Sequence, residues 1–200
     1  SGQGDGVGIH VCYSGPESKA EKVLAPVRAL GTPVFDSIKK QSYVAIQQSW
    51  DNTDPRNEGQ YLKSGFIDDF PAGLADKLID GFQADPGRNT VLFSQHSGGA
   101  IGRIPADATA FAHRKAKANV FCTVSWPLDN DATPHIDYIR RYWKDIEPYT
   151  DGWYTNEASD EPHRVLHANY QGNFPRLQKV KNKYDPGNLF RLNANVKPSA

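Results

Sequence analysis

The sequence predicts an α+β fold in which a largely antiparallel sheet has helices packed on one face, followed by a helical C-terminal tail. Apolar residues alternate with polar ones along several short segments and recur at helical spacing along others. Only some of the predicted strands are separated by a single helix of crossover length. A doubly wound parallel sheet needs such a helix between nearly all of its strands, so it fits the sequence less well.

The first third of the chain predicts one strand and two helices. Residues 7–13 alternate between apolar and polar side chains, which is typical of a strand. Ser14 is expected to cap the next helix, with Pro16 in its first turn and Gly31 at its end. A shorter helix is expected from Ser42 through Trp50. The apolar stripe of the first helix consists of Ala20, Val23, Leu24, Val27 and Leu30.

The middle of the chain predicts three strands and two helices. The strand patterns lie at 61–68, at 90–99 with paired glycines at the end, and at 118–126. The second helix of this region begins near Pro134, which suits a first helical turn, and ends at Pro148. The apolar stripes of the two helices consist of Leu74, Leu78 and Phe82, and of Ile136, Ile139, Tyr142, Trp143 and Ile146.

The last third predicts a short strand at 152–157 and two helical stretches that separate near Gly172. A DPGN turn at 185–188 closes this part. The sequence has no internal repeat and neither a GxGxxG nor a GxxxxGK[ST] motif. We therefore expect no phosphate cradle within the chain.

The charges exclude two classes of partner. Lysine plus arginine and aspartate plus glutamate both number 23, so the formal net charge is zero. Without a positive field, we expect no nucleic acid and no membrane as partner. No apolar run approaches the ~18 residues that a membrane span needs. The cellular compartment is left open.

The cysteines and two of the histidines do not suggest a metal site. Cys12 and Cys122 each lie in an apolar segment without CxxC spacing, so we expect buried free thiols rather than a disulfide. His96 and His113 are not spaced as a ligand pair. We expect structural roles for both and no bound metal.

The run NYQGNFPRLQKVKNKYDPGNLFRLNANVKP resembles the closing segment of berberine-bridge-enzyme-like oxidases, in which GxNYxRLxxVKxKYDPxNLFRxNQNI recurs. Upstream, SGGAIGRIPADATAFAHR resembles the GGAV, ATAF and HR block of that family. Trp126 falls where a tryptophan usually ends the next strand of the family, and GWYTNEA resembles its YxN segment. The resemblance covers nearly the whole chain. The matching residues of the C-terminal run are Asn173, Arg176, Leu177, Val180, Lys181, Tyr184, Asp185, Pro186, Asn188, Leu189, Phe190, Arg191 and Asn195.

The resemblance implies part of an FAD-dependent oxidoreductase among the vanillyl-alcohol-oxidase-type flavoproteins. Such enzymes pass a hydride from an alcohol, amine or activated C–H of a small-molecule substrate to FAD, which O₂ usually reoxidises. An N-terminal domain holds the FAD, and nothing in these 200 residues corresponds to it. We therefore expect residues 1–151 to be the substrate-binding domain and 152–200 to be a C-terminal segment that packs on the absent domain. The fragment alone should be inactive and should self-associate through the face left bare, near which we place Trp153, Tyr154 and Phe174.

Glu157 is the candidate base, because the resemblance places it directly after the YxN triplet, where related enzymes often have a tyrosine. A carboxylate in a partly desolvated pocket can accept a proton near neutral pH. The alternative is a solvated glutamate at the start of EASDE. Asn119, Phe121 and Thr123 share one face of a predicted strand and are expected to line the substrate pocket, unless that face is simply wet. Alternate residues should pack under helices.

Three residues are expected to face the cofactor. The resemblance places Tyr154 and Asn156 beside the flavin, and Asn173 is assigned to the same region. Without the resemblance, Tyr154 would be interpreted as a core residue with a wet hydroxyl. A different class of function also stays open, namely a non-catalytic α+β module that binds a ligand or a protein and has no flavin domain.

Overall fold

The chain forms two compact units, Ser1–Asp54 and Pro55–Ala200. No helix in the described part is long and apolar enough to cross a membrane. The structure is a computed structural model, and it describes no side chains for residues 163–165 and 168. The described residues are 6–51, 57–85, 87, 89–156, 163–192 and 194–199.

The first unit contains the two predicted helices. A 3-10 turn at Glu17–Lys19 leads into α1, Ala20–Arg28, and α2 spans Tyr43–Gln48. The Ser42 hydroxyl accepts a hydrogen bond of 3.2 Å from the amide of Ala45, so the predicted start of α2 is confirmed. Of the apolar stripe on α1, only Leu24 is buried.

Two predictions for the first unit are wrong. Residues 7–13 form no strand, because no strand is present among the described residues of this unit to pair with them. Cys12 is consequently exposed rather than buried. Ser14 does not cap α1, since the 3-10 turn intervenes and no side chain caps either segment.

The second unit contains an antiparallel sheet of three strands in the order β1-β3-β2. The α+β fold with a largely antiparallel sheet is thus confirmed, as are the three strands predicted for the middle of the chain. Two longer helices and one short helix accompany the sheet. In chain order the elements are β1 Glu58–Ile67, α3 Ala72–Gln83, β2 Thr90–His96, α4 Ala100–Arg103, β3 Ala118–Pro127 and α5 Thr133–Ile146.

The hydrophobic core lies between one face of this sheet and the helices α3 and α5. As predicted, Val120, Cys122 and Val124 point to this face. Complete burial of an aliphatic side chain stabilises a fold by about 1.5–3 kcal/mol. Burial also raises the pKa of the Cys122 thiol to about 12, so it stays protonated and does not act as a nucleophile. The fully buried aliphatic side chains from β1, α3 and α5 are Ile67, Leu74, Ile139 and Ile146.

The C-terminal tail is helical, as predicted. Helix α6 spans His163–Tyr170, a 3-10 turn follows at Gln171–Asn173, and α7 spans Phe174–Tyr184. The predicted turn then forms around Asp185, whose carboxylate accepts hydrogen bonds from the amides of Leu189 and Phe190 at 2.7 and 3.1 Å.

The short strand expected at 152–157 is absent from the described residues of that range, 152–156. Gly152 has a φ of 78°, which takes the chain out of an extended conformation. Phe66 makes two backbone hydrogen bonds to this segment, one to the Gly152 carbonyl and one from the Asp151 amide. The chain then turns at Thr155 and Asn156.

Candidate functional site

The face of the sheet turned away from α3 and α5 is termed the second face. The alternation of β3 places Asn119, Phe121 and Thr123 on it, and the strand register extends each of them into a row across the sheet. The three rows are Phe66–Asn119–Gln95, Ser64–Phe121–Phe93 and Leu62–Thr123–Val91.

The second face carries a mixture of apolar and polar side chains. Phe121 is buried and stacks on Phe93, with ring centroids 4.3 Å apart and planes 2° from parallel. Within the described residues, the hydroxyl oxygens of Ser64 and Thr123 are buried and make no hydrogen bond. Buried polar groups are normally satisfied, so these two hydroxyls are exceptions within the sheet. Val91 and Phe93, at the β2 edge, remain exposed.

His113 connects this face to the C-terminal tail. Its ring stacks on Phe66, with centroids 4.5 Å apart and an interplanar angle of 20°. Its Nε2 lies 2.8 Å from the backbone oxygen of Asn169, and its Nδ1 lies 3.4 Å from the side-chain nitrogen Nε2 of Gln171. The predicted structural role of His113 is therefore confirmed. Among the described residues, no group of three or more His, Cys, Asp or Glu side chains could hold a metal ion.

Residues 151–156 lie next to His113 and are here called the cofactor loop, after the role predicted for Tyr154 and Asn156. The loop starts with the backbone pairing to Phe66, and its tip presents Tyr154 and Asn156 to solvent. The Asn156 amide donates a 2.8 Å hydrogen bond to the Tyr154 hydroxyl. The two side chains thus form one polar unit, although not through the strand alternation that the sequence suggested.

A cavity of about 190 Å³ lies between the cofactor loop, the segment around His113 and the end of α6. A flavin ring needs an apolar or aromatic wall and polar groups at its edge, and the cavity supplies both. The buried Nε1 of Trp153 also makes no hydrogen bond within the described part of the chain. The lining is therefore suited to packing against part of a flavin ring, whereas the sequence lacks a motif for its pyrophosphate. The aromatic lining residues are Phe111, His113, Trp153, Tyr154 and Tyr170.

The two remaining predicted residues are Asn173 and Glu157. Asn173 is buried, and its side-chain amide nitrogen donates to the backbone oxygens of Ala106 and Thr109 at 2.7 and 3.0 Å. These bonds hold the loop at residues 106–109 against the C-terminal tail. Its role towards the cofactor stays a prediction. Glu157 lies outside the described residues, and its role as the base also stays a prediction.

The family described as Berberine and berberine like matches residues 154–197. An FAD-linked oxidoreductase of Dictyostelium discoideum is 25% identical over 197 residues, which cover 97% of this chain and 43% of that protein. The predicted resemblance to the berberine-bridge-enzyme-like family is confirmed. Berberine bridge enzyme-like 17 of Arabidopsis thaliana is 33% identical over 123 residues, which are 52% of this chain and 23% of that protein.

Several proteins of known structure share the fold. Physcomitrella patens BBE-like 1 has a TM-score of 0.75 and 23% identity, with 92% of this chain and 44% of that chain covered. Aclacinomycin oxidoreductase has a TM-score of 0.61 and 23% identity, and the match covers 70% of this chain and 32% of that chain. The chain thus spans less than half the length of the relatives compared above.

Sequence patterns alone missed several residues of the site. Ser64 shares the alternation of Leu62 and Phe66, but its position opposite Phe121 emerges only from the strand register. Asn169 is the first residue of the berberine-bridge-like C-terminal run, so the sequence drew attention to this region. It gave no indication of the contact between Asn169 and His113.

Proposed function

We propose that this chain is the substrate-binding and C-terminal part of an FAD-dependent oxidoreductase that takes a hydride from an alcohol, amine or activated C–H. One observation chiefly supports the proposal. The row that contains Asn119 leads through Phe66 and His113 to the cofactor loop, so the predicted substrate residues and the predicted flavin residues belong to one continuous region.

Each residue has a separate task in this proposal. FAD, when bound, supplies the hydride acceptor, and O₂ is the proposed final oxidant. Glu157 takes the proton from the substrate heteroatom, while Asn119, an amide that cannot take a proton, orients that atom. Phe121 supplies an apolar wall, and Thr123 offers a hydroxyl to a polar group of the substrate. Tyr154, Asn156 and Asn173 lie on the flavin side.

The proposed division into residues 1–151 and 152–200 gives the C-terminal segment the task of packing on a flavin-binding domain. Three contacts stabilise the turn at Asp185: Lys181 pairs with its carboxylate, and two backbone amides donate to it. Lys181 lowers the pKa of Asp185, which keeps this pair charged. Four large apolar side chains near the turn are 73–83% exposed, as a docking surface requires: Tyr184, Leu189, Phe190 and Leu192.

The roles of Glu157 and Asn119 can be separated by anaerobic stopped-flow reduction of flavin in the longer protein that we propose contains this chain. Glu157→Gln keeps the size of the side chain but removes its basicity, so flavin reduction should slow by roughly 10²–10⁴-fold. The acidic limb of the pH profile should also vanish. Asn119→Ala should mainly raise the substrate concentration needed for half-maximal reduction. A wild-type rate in Glu157→Gln, together with loss of reduction in Asn119→Ala, would refute the assignment.

A further inference from the structure

The cofactor loop is irregular, so its conformation must be held from outside. It contains no helix, and within its described residues no strand. Beyond the backbone pairing to Phe66, only specific side-chain contacts can fix where Tyr154 and Asn156 point. An irregular backbone that must present two polar groups precisely needs such support, because a displacement of about 1 Å can cost 10²-fold in rate.

Asn169 supplies the central contact. Its side chain is buried, and its Oδ1 accepts a 2.8 Å hydrogen bond from the backbone amide of Trp153, the residue next to Tyr154. Gly152 lies so close that an added Cβ would stand 2.6 Å from the same Oδ1. The loop is thus pressed against Asn169 without room for a side chain between them.

His113 in turn fixes Asn169. Its Nε2 lies 2.8 Å from the Asn169 backbone oxygen and 3.2 Å from Oδ1, so two oxygen acceptors favour the tautomer with hydrogen on Nε2. Gln171 completes the arrangement by donating to the Asp151 carboxylate at 2.7 Å. Gln171 has a φ of 48°, a conformation that non-glycine residues rarely adopt and that is often found where function requires it.

We propose that Asn169 is a positioning residue of the oxidoreductase, which holds the cofactor loop so that Tyr154 and Asn156 face the flavin, and that His113 positions Asn169. The inference rests on the proposed function, because it gives the buried contacts a purpose at the flavin. It adds two residues that hold the loop in position, of which His113 also lines the cavity.

The first test uses the 200-residue chain. In Asn169→Leu, hydrogen exchange of the Trp153 amide should accelerate roughly tenfold, the factor expected for loss of one hydrogen bond. Asn169→Asp keeps an acceptor for both donors and should stay within about threefold of the wild type. Asn182→Leu is the control, since it also removes two side-chain hydrogen bonds, the exposed ones to Ser199 at 2.5 and 2.9 Å, but from the distal half of α7.

The second test uses the flavin-containing protein. Asn169→Leu should leave the flavin content unchanged but shift the flavin absorption bands and slow anaerobic flavin reduction roughly 10–100-fold. Asn169→Asp should restore both, and Asn182→Leu should change neither. If Asn169→Leu does not fold, His113→Phe provides the same test, because it keeps the stacking on Phe66 and lacks the N–H that holds Asn169.

Two outcomes overturn the proposal. One is an unchanged Trp153 exchange rate in both Asn169→Leu and His113→Phe. The other is a faster exchange rate with unchanged flavin bands and reduction rate, which would make the contacts merely structural. A wild-type protein without flavin would instead refute the proposed function and its positioning role together, and the Trp153 exchange result would still stand.

Discussion

Asp85 should determine whether β2 starts in its correct place. Its side chain is buried, and its carboxylate accepts backbone hydrogen bonds from Gly87 at 3.0 Å, Asn89 at 2.8 Å and Thr90 at 2.8 Å. Thr90 is the first residue of β2, which brings Phe93 onto the second face. Asp85 therefore links the turn after α3 to the proposed substrate surface.

Replacing this carboxylate should destabilise the second unit substantially. Hydrogen bonds to a charged group contribute roughly 1.5–3 kcal/mol each when buried, but only the Thr90 amide belongs to a buried residue here. We therefore expect Asp85→Ala to lower the free energy of unfolding by about 3 kcal/mol and Asp85→Asn by about half of that. Urea unfolding followed by tryptophan fluorescence measures both values, with the exposed Asp76→Asn as the control.

The direction of the Asp85 pKa shift determines how its contribution to stability changes with pH. Burial raises the pKa of Asp85, but hydrogen bonds from Thr90, Gly87 and Asn89 outweigh it, so the folded pKa lies below its usual value. The stabilisation is then complete above the unfolded pKa of about 4 and is lost as the pH falls through the folded pKa. The difference between wild type and Asp85→Asn should shrink below about pH 4. A difference near zero at pH 7, or one independent of pH, would refute this reasoning.

Three further predictions concern packing, cofactor and surface. Gly81→Ala should cost about 1–3 kcal/mol of unfolding free energy, because the new Cβ would lie 2.0 Å from the buried Tyr142 ring. Gly73→Ala in the same helix should be nearly neutral in the same urea titration, because its Cβ would approach only the end of the Tyr149 side chain, with the hydroxyl at 3.1 Å. The 200-residue chain should not retain FAD in isothermal titration, and a Kd of about 1 µM or tighter would contradict this. Light scattering should detect concentration-dependent self-association that the double variant Leu189→Ser, Phe190→Ser reduces, and a strictly monomeric wild type would count against it.

The elements that sequence patterns predicted correctly are those whose burial is set locally. The stripe of α5 repeats every three or four residues, and four of its members are buried against the sheet. The alternation of β3 predicted which residues pack under the helices, because a central strand has two defined faces.

The errors arise where structure depends on distant partners. Residues 7–13 alternate like a strand, but alternation alone supplies no neighbouring strand. The strand predicted around Gly152 is absent for another reason. Gly152 has a left-handed φ, and the segment is fixed by Phe66, His113 and Asn169, which are far away in sequence. Trp153 and Phe174, which we placed near the bare face, are buried, and the Trp153 amide is held by Asn169. No local pattern contains this information.

The most direct test of the central claim is the absorption spectrum of the longer purified protein, recorded before and after anaerobic addition of candidate alcohols and amines. We predict flavin bands in the wild type and their bleaching by at least one substrate, with Glu157→Gln still coloured but bleaching more slowly. A protein that is colourless, and that stays colourless after incubation with FAD, would contradict the account and favour a non-catalytic binding module.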